Sequence, residues 1–292
     1  MKRVILNVLA GALIVAAFTA CGSSGGGKSG KIKMTTENGG DFSFYLSGSG
    51  TATVDWGDGS DKVALTLNEH EHERDAMFFP IRLRRGVLFR HTYPTATIRT
   101  ITVNGDNITG LYCSSNFCIT SIDVSRCTEL TELSVSGNLT SFDVSKNTAL
   151  TKLDLFEAKL PSLDVSKNTA LTTLRCRYIT SLDVSKNTAL IELIVGGNQL
   201  TSLDVSKNTA LIELSCRDNQ LTSLDVSKNT ALRALNVAEN QLSTAALNAL
   251  FGTLPPARGT ISIGANPGQI DCDRSIAKRK GWEVRESVYS YY

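Results

Sequence analysis

Histidine and carboxylate side chains are the groups in this chain best suited to catalysis or metal binding. The 292 residues include three histidines. Two of them, His70 and His72, alternate with glutamates, and alternating side chains on a strand project to one face. A histidine pair without a further placed ligand makes a poor metal site, so we predict a solvated loop or strand edge and no bound metal. The sequence also lacks Gly-x-Ser-x-Gly, His-Glu-x-x-His and an isolated pair of acids, and it predicts no catalytic residues and no enzyme activity.

A phosphate-binding pattern occurs near the N-terminus. Residues 22–29 satisfy Gly-x-x-x-x-Gly-Lys-Ser. Such a loop needs a strand before the glycines and a helix after them, so that backbone amides point at the phosphate. Here an apolar N-terminal segment precedes the glycines and a strand-like run, 31–34, follows them. We therefore predict no nucleotide site and no other cofactor.

An aspartate recurs within the phrase Ser-x-Asp-Val-Ser, whose six copies are spaced 20, 21, 19, 21 and 21 residues apart. A period of this length is typical of a solenoid, in which each unit is stabilised by stacking on its neighbours. The aspartates then stack about one strand spacing, ~4.8 Å, apart. Because stacked carboxylates repel, we expect each to bond to a Ser or Thr hydroxyl or to pair with the lysine row. Cation binding along the row is the alternative. The row comprises Asp123, Asp143, Asp164, Asp183, Asp204 and Asp225.

Each unit contains two short apolar runs that are each followed by an asparagine, as in residues 211–232. We interpret both runs as strands. The spacing resembles the motif of the leucine-rich repeat family, Leu-x-x-Leu-x-Leu-x-x-Asn/Cys-x-Leu, over residues 111–266. The second asparagine row is interrupted at Ala158 and in the shortened segment at Tyr178 and Ile179, so a local irregularity is expected there.

The last unit indicates which half forms the continuous sheet. A helix with Ser243 as its N-cap replaces the Asp-Val-Ser-Lys-Asn half, and a second short helix is predicted over 273–280. The other half persists as Ile261-x-Ile263 and is therefore predicted to form the sheet. The resemblance implies that this sheet lines the concave face, where partners of leucine-rich repeat proteins bind.

Outward positions of this sheet half differ from unit to unit, whereas the Asp-Val-Ser half is nearly identical throughout. Arginine and aromatic side chains are enriched at binding hot spots. Drift under weak constraint is the alternative explanation for the variation. The candidate binding residues are Phe156, Arg175, Arg177, Tyr178, Ile194, Glu213 and Arg217.

The N-terminal residues have the pattern of a targeting segment. Lys2 and Arg3 precede an apolar run that ends before Cys21. The segment resembles a bacterial lipoprotein signal, which implies cleavage before Cys21 and lipidation of its thiol. Gly22 after the cysteine resembles the outer-membrane sorting pattern. An ordinary secretory signal with an incidental cysteine is the alternative.

Residues 31–108 have a different pattern from the repeats that follow them. Short alternating runs separated by Gly, Asp and Asn turns predict a small β-sandwich. Asp55-Trp56-Gly57-Asp58-Gly59 with His91-Thr92-Tyr93 resembles the polycystic-kidney-disease (PKD-type) immunoglobulin-like domain. Because no Pro/Ser linker follows, we expect this sandwich to abut the first repeat and to cover its apolar end.

The predicted fold is mainly β, a small sandwich followed by a leucine-rich repeat solenoid of parallel strands with a C-terminal helical cap. The predicted segments are a signal peptide (1–20), a Gly/Ser tether (21–30), a PKD-like β-sandwich (31–108), the solenoid (109–242) and the cap with a final repeat strand (243–292).

The cysteines are predicted to be small core residues. Cys113, Cys176 and Cys216 occupy the inward position of the strand motif, and Cys127 stands at an asparagine position. The alternative, in an oxidising compartment, is a disulfide between Cys113 and Cys118.

Charge gives no indication of nucleic-acid binding. Without the two N-terminal cations, 28 Lys and Arg face 28 Asp and Glu. We therefore expect a lipid-anchored outer-membrane protein, facing the periplasm or the cell surface, that binds a protein or glycan partner through the variable face of its solenoid. The alternatives are a structural or adhesive spacer without a dedicated ligand and an accessory module of a carbohydrate-active assembly.

Overall fold

The computed structural model describes residues 29–69, 71–72, 84–113, 118–156, 158 and 160–286. The chain is mainly β, with 37% strand and 6% helix. Its strands are β1 (Ser29–Thr36), β2 (Gly40–Gly48), β3 (Thr51–Asp55), β4 (Val63–Thr66), β5 (Glu71–His72), β6 (Arg84–Arg85), β7 (Val87–Tyr93), β8 (Arg99–Asp106), β9 (Ile108–Cys113), β10 (Ile119–Asp123), β11 (Glu132–Ser136), β12 (Lys152–Phe156), β13 (Thr173–Cys176), β14 (Glu192–Ile194), β15 (Glu213–Ser215), β16 (Ala234–Asn236), β17 (Gly259–Ser262) and β18 (Trp282–Arg285). The helices are α1 (Thr244–Thr253) and α2 (Ser275–Arg279). Neither is long and apolar enough to cross a membrane, and the same holds throughout the described part of the chain.

The N-terminal residues form a sandwich of two antiparallel layers. One layer has the strand order β10-β1-β8-β3-β4, and the other consists of β7, β2 and β9. Alternation along β1 and β2 buries Ile32, Met34, Phe42 and Phe44 between the layers. Trp56 lies in the same core.

Trp56, Asp58, His91 and Tyr93 form one cluster at an end of this sandwich. The His91 ring stacks on Trp56 with centroids 5.0 Å apart, and its Nε2 lies 2.7 Å from Asp58 Oδ2. The Tyr93 hydroxyl donates to the Trp56 carbonyl at 2.9 Å. These are the residues in which the sequence resembles a PKD-type domain, and membership in that family stays a prediction.

Strand β9 joins the sandwich to the solenoid. It pairs antiparallel with β2 and parallel with β11, so that Leu111 is the register partner of both Leu46 and Leu133. Strand β10 completes the other layer by pairing with β1. The predicted boundary after residue 108 therefore falls at a strand that both parts share. The expectation that the sandwich covers the end of the first repeat is confirmed, since the buried side chains form one continuous cluster.

The repeats form a β-solenoid of about 8 turns. Strands β9 and β11 to β18 lie parallel and in register in an 11-stranded sheet whose remaining members are β2 and β7. The predicted sheet half is thus confirmed. Its inward leucine row packs at the centre of the solenoid and comprises Leu111, Leu133, Leu153, Leu174, Leu193, Leu214, Leu235 and Ile261.

The second predicted strand forms in the first unit, where Ile119–Asp123 is β10, and the prediction is wrong for the later units. The Asp-Val-Ser-Lys-Asn half forms consecutive turns, in which the Asn147 amide donates to the Val144 carbonyl at 2.9 Å. The buried Asn147 side chain donates to the carbonyls of Val124 and Cys127 in the preceding unit, at 3.0 and 2.8 Å. The same carbonyls also accept the backbone amides of Cys127 and Leu130, so no strand ladder is required. The same pair of bonds recurs at Asn168, Asn187, Asn208 and Asn229.

The predicted helices close the C-terminal end. Ser243 caps α1, since its side chain accepts a hydrogen bond from the Ala246 amide at 3.2 Å, and the apolar face of α1 is buried. Helix α2 is shorter than predicted because Asp273 forms a turn with Ser275 before the helix begins. It is followed by Gly281 at a φ of +90°.

Candidate functional site

Alternation along the parallel strands creates an outward surface, which we call the sheet face and define as the outward side chains of β9 and β11 to β18. Leucine, valine and cysteine point inward, and the residues between them point outward. The middle outward row changes in chemistry at almost every strand. It comprises Tyr112, Ser134, Asp154, Arg175, Ile194, Ser215, Asn236 and Ser262.

A groove of about 240 Å³ lies near the centre of the sheet face. Its outward lining includes Asp154, Arg175, Arg177, Ile194, Ser215 and Arg217. The structure thus brings together four of the predicted binding residues, the three arginines and the isoleucine. We call this cavity the arginine groove.

The other predicted residues lie around the arginine groove. Tyr178 follows Arg177 and is 45% exposed. Glu213 lies beside Glu192 in an outward row of the sheet face. The backbone of Phe156 belongs to β12, in register with Ser136, whereas its side chain lies outside the described residues.

Two glycines, which sequence reasoning missed, form the floor of the groove. A Cβ on Gly197 would lie 2.6 Å from Arg177 Nη2, and a Cβ on Gly196 would lie 2.9 Å from Arg217 Cγ. Both arginines therefore lie directly over bare backbone. The signal was visible in the sequence, because Gly196-Gly197 stands where the next unit has Arg217-Asp218.

The backbone at Gly197 is left-handed, with a φ of +70°. The equivalent residue of other units is also left-handed although it carries a side chain. Each of these residues directly precedes the asparagine position or its deletion, and they are Tyr178, Asp218, Glu239 and Ala265. Left-handed backbone is thus a property of the turn after each strand, and the glycine is needed for the space that Arg177 occupies.

Tyr178 and Ile179 lie in a shortened turn, as expected from the interrupted asparagine row. Ile179 takes the place that Leu200 holds one unit later, since its amide donates to Asn198 Oδ1 at 2.9 Å just as the Leu200 amide donates to Asn219 Oδ1. The asparagine is therefore missing from this unit. The shortening places the Tyr178 ring beside Arg177, with the guanidinium carbon 5.7 Å from the ring centroid.

Two of the three groove arginines form ion pairs. Arg175 Nε donates to Glu192 Oε1 at 2.6 Å, and Arg217 Nη2 donates to Glu239 Oε2 at 2.9 Å. All four side chains are partly exposed, so each pair contributes little to stability. Its effect is to fix the position of the guanidinium and to neutralise its charge.

Arg177 differs from these two arginines. It is partly buried, and no described carboxylate forms an ion pair with it. Its contacts are the backbone of Gly197 and the ring of Tyr178. Its charge is therefore the uncompensated one among the groove arginines, as far as the described residues show.

Glu213 and Glu192 are direct neighbours on adjacent strands. Partial burial raises the pKa of the Glu213 carboxyl, the charge of Glu192 raises it further, and Arg175 opposes the shift. Arg175 binds Glu192 directly. The positive charge of Arg175 therefore offsets only part of the rise in the pKa of Glu213.

The opposite surface, which we call the turn face, consists of the repeated Asp-Val-Ser-Lys-Asn turns. Asp204 Oδ1 accepts the Ser206 amide at 2.8 Å. This bond and the Ser206 hydroxyl hold the pKa of Asp204 below its usual range. The prediction of a hydroxyl partner was therefore incomplete, because the backbone amide of the same serine also donates. The bond to the amide recurs at Asp123, Asp143, Asp164, Asp183 and Asp225.

A second cavity, of about 370 Å³, lies between two turns of this face and is lined by Asp204, Asp225, their serine neighbours and Lys228. Within the described ranges no group of three or more His, Cys, Asp or Glu residues is arranged to hold a metal ion. The turn face therefore presents the same group in every unit, an aspartate carboxylate bonded to a serine.

The cysteines pack as predicted from the strand motif. Cys113, Cys176 and Cys216 are buried, and burial raises the pKa of Cys176 and Cys216 to about 12. The structure has no disulfide between Cys113 and Cys118, the pair that the sequence left open. Cys113 and Cys176 share one row of the sheet but are separated by Val135 and Leu155.

Several predictions concern residues whose structure is not described. The predicted lipidation site Cys21 and the signal peptide precede Ser29, and of the phosphate-loop pattern only Ser29, the first residue of β1, is described. His70 lies outside the described residues, and for His72 only the backbone in β5 is described. These predictions stay as they were stated.

No protein-family model and no curated protein sequence matches the chain. Its neighbours among solved structures are internalins, which are leucine-rich repeat proteins. The functional domain of InlJ from Listeria monocytogenes, which includes a cysteine ladder, is 30% identical with a TM-score of 0.48, and the match covers 62% of this chain and 44% of that chain. An internalin (inlF) from Listeria monocytogenes is 21% identical with a TM-score of 0.40, and the match covers 54% of each chain.

The chain thus spans about half of these internalins or less. The leucine-rich repeat pattern of this protein is established by its own parallel register and asparagine rows.

Proposed function

We propose that this protein is a binding module whose sheet face recognises a partner protein. The observation that supports this most is the contrast between its two surfaces. The turn face repeats one chemistry in every unit, whereas the sheet face combines three arginines, an isoleucine and two glycines in one groove. A surface that serves only as a spacer has no need of such a groove.

The composition of the sheet face suits a protein interface. Arginine and tyrosine are enriched among the residues that dominate binding energy, and Arg177 and Tyr178 lie side by side here. Apolar side chains add to this at the margin of the same strands, where Ile191 and Ile212 are 44% and 46% exposed. Internalin-like neighbours support an interaction or adhesion role in general terms.

A matched pair of substitutions tests this proposal. Ser215→Arg fills the arginine groove, whereas Thr209→Arg adds the same side chain to an exposed position of the turn face. The chain and both variants are immobilised and incubated with proteins of the producing cell's envelope and of cells that it contacts, and retained proteins are quantified by mass spectrometry. Thermal unfolding confirms that both variants are folded.

We expect at least one protein to be retained by the wild type and by Thr209→Arg and lost with Ser215→Arg. The same retained proteins on all three would reject the sheet face as the binding surface and favour a spacer. Retention that disappears after glycosidase treatment of the extract would assign the partner to glycans.

The membrane anchor is a separate part of the proposal and is supported by the sequence alone. Lipidation of Cys21 would attach the chain to the outer membrane, and β1 begins only at Ser29, so a short Gly/Ser tether would precede the sandwich. The test is detergent-phase partitioning of the protein from cells. Wild type should enter the detergent phase and Cys21→Ser the aqueous phase, and equal partitioning would contradict the anchor.

A further inference from the structure

Arg177 is held in place before any ligand binds. Its guanidinium lies over the backbone of Gly197, where a Cβ would come within 2.6 Å of Nη2 and 2.7 Å of Nε. The ring of Tyr178 is 5.7 Å away on another side. A planar guanidinium fixed in this way has already lost much of the conformational freedom that binding would otherwise remove.

Among the described residues, two glutamates bind the other two groove arginines. Arg175 and Arg217 bind Glu192 and Glu239, and the groove carboxylate Asp154 is the register partner of Arg175 rather than of Arg177. No described carboxylate is paired with Arg177. The groove lining also includes Ile194, which is apolar and partly exposed.

We propose that Arg177 is the site at which the sheet face binds an Asp or Glu side chain of the partner protein, with an adjacent apolar residue of the partner against Ile194 and Tyr178. This inference rests on the proposed binding function and specifies its chemistry. The guanidinium matches a carboxylate through two parallel N–H···O bonds, which are stronger than bonds between neutral groups. A neutral amide accepts only part of this pattern.

A peptide is favoured over an acidic glycan by the apolar side of the groove. Ile194 in the groove lining and the exposed Tyr178 beside the groove offer apolar contacts that leucine-like side chains can bury. Hydroxyl-rich sugar units would leave these contacts unused and would lose hydrogen bonds to water.

The probe is a blocked pentapeptide with a central Glu between two Leu residues, compared with the same peptide carrying Gln. Dissociation constants for the isotope-labelled full chain are measured by NMR titration. The variants are Arg177→Gln, Arg177→Lys and, as a control, Lys207→Gln on the turn face. Thermal unfolding is measured for each, and Arg177→Lys carries the test if Arg177→Gln does not fold.

Wild type and Lys207→Gln should bind the Glu peptide at least about tenfold more tightly than the Gln peptide, as expected for a hydrogen bond to a charged group. Arg177→Gln should remove the preference, and Arg177→Lys should reduce it because its ammonium cannot bind in a bidentate manner.

Equal affinities for the two peptides in wild type, a preference that survives in Arg177→Gln, or no binding of either peptide at its highest soluble concentration would overturn the inference. Tighter, Arg177-dependent binding of an oligogalacturonate would overturn the protein partner in favour of an acidic glycan. The retention experiment and the peptide titration can give different results. If a partner protein is lost with Ser215→Arg while the peptides show no preference, only the carboxylate inference fails and the proposed function stands.

Discussion

The Arg177 guanidinium rests on Gly197 of the next unit, where a Cβ would lie only 2.6 Å from Nη2. The two residues belong to adjacent turns of the solenoid, so one unit supplies the cation and the next supplies the space for it. This relationship could not exist in a strictly regular repeat, because other units carry Asp218 or Glu239 at the position of Gly197.

Gly197→Ala tests this relationship. Its backbone has a φ of +70°, and a left-handed residue with a Cβ costs about 1 to 2 kcal/mol. We expect a loss of this size in the free energy of unfolding by urea, together with loss of the acidic-peptide preference. Gly252→Ala is the control, since Gly252 lies in α1 with open space around its Cβ position, and it should raise stability by about 0.5 to 1 kcal/mol. Equal effects of the two substitutions would contradict the described geometry.

The buried asparagine row is predicted to stabilise the turns. Asn208 is fully buried, and its side chain donates to the carbonyls of Val184 and Asn187 at 3.0 and 2.9 Å. Asn208→Ala removes two hydrogen bonds to carbonyls that also accept the Asn187 and Leu190 amides, so we expect a loss of about 1 to 3 kcal/mol in urea unfolding. Thr209→Ala at the exposed neighbouring position should change stability by less than about 0.5 kcal/mol. A similarly small effect at Asn208 would show that its two side-chain hydrogen bonds contribute little to the stability of the turns.

Glu213 is predicted to oppose folding at neutral pH. Its pKa is raised in the folded protein by burial and by Glu192, so the folded state binds its proton more tightly than the unfolded state does. Glu213→Gln should therefore raise the unfolding temperature at pH 7. The difference from wild type should shrink as the pH falls through the raised folded pKa and should vanish below about 4, the pKa of an unfolded glutamate. Glu37→Gln, at an exposed position of the sandwich, should cause little change. A constant difference at all pH values would show that the effect is not electrostatic.

Four of the described cysteines, Cys113, Cys127, Cys176 and Cys216, are predicted to react only after unfolding or local opening. Cys113 is fully buried, and burial raises the pKa of Cys127 to about 11 and that of Cys176 and Cys216 to about 12. Because the thiolate is the reactive form, these four thiols should resist a colorimetric disulfide reagent at pH 8 and react in denaturant. Rapid reaction of the native protein at these positions, located by peptide mapping, would contradict the packing.

The periodicity of the sequence made the solenoid predictable. The hydrogen bonds between neighbouring units could not be inferred in the same way. The repeated leucines placed the sheet correctly because inward and outward positions alternate on a strand. The Asp-Val-Ser-Lys-Asn half has the same apolar spacing, yet the bonds of Asn147 to the previous unit make it a turn. Such bonds join residues about one unit apart, and local sequence patterns do not show them.

The candidate site was predicted in part. Arg175, Arg177, Ile194 and Arg217 were selected by residue type and do line one groove. Sequence alone did not separate the paired Arg175 and Arg217 from Arg177, because the ion pairs depend on glutamates in neighbouring strands and turns. The importance of Gly196 and Gly197 was missed. A glycine in a sequence is usually interpreted as a flexible position, whereas these two leave space for the side chains of Arg217 and Arg177.

Site-specific photo-crosslinking tests the central claim most directly. A benzophenone amino acid replaces Tyr178 beside the arginine groove or, as the control, Thr209 on the turn face, and the full-length protein is irradiated in the cells that produce it and with the cells that they contact. Binding through the sheet face predicts a discrete crosslinked protein from position 178 and none from position 209. The same crosslinked proteins from both positions, or crosslinks from position 209 alone, would contradict it.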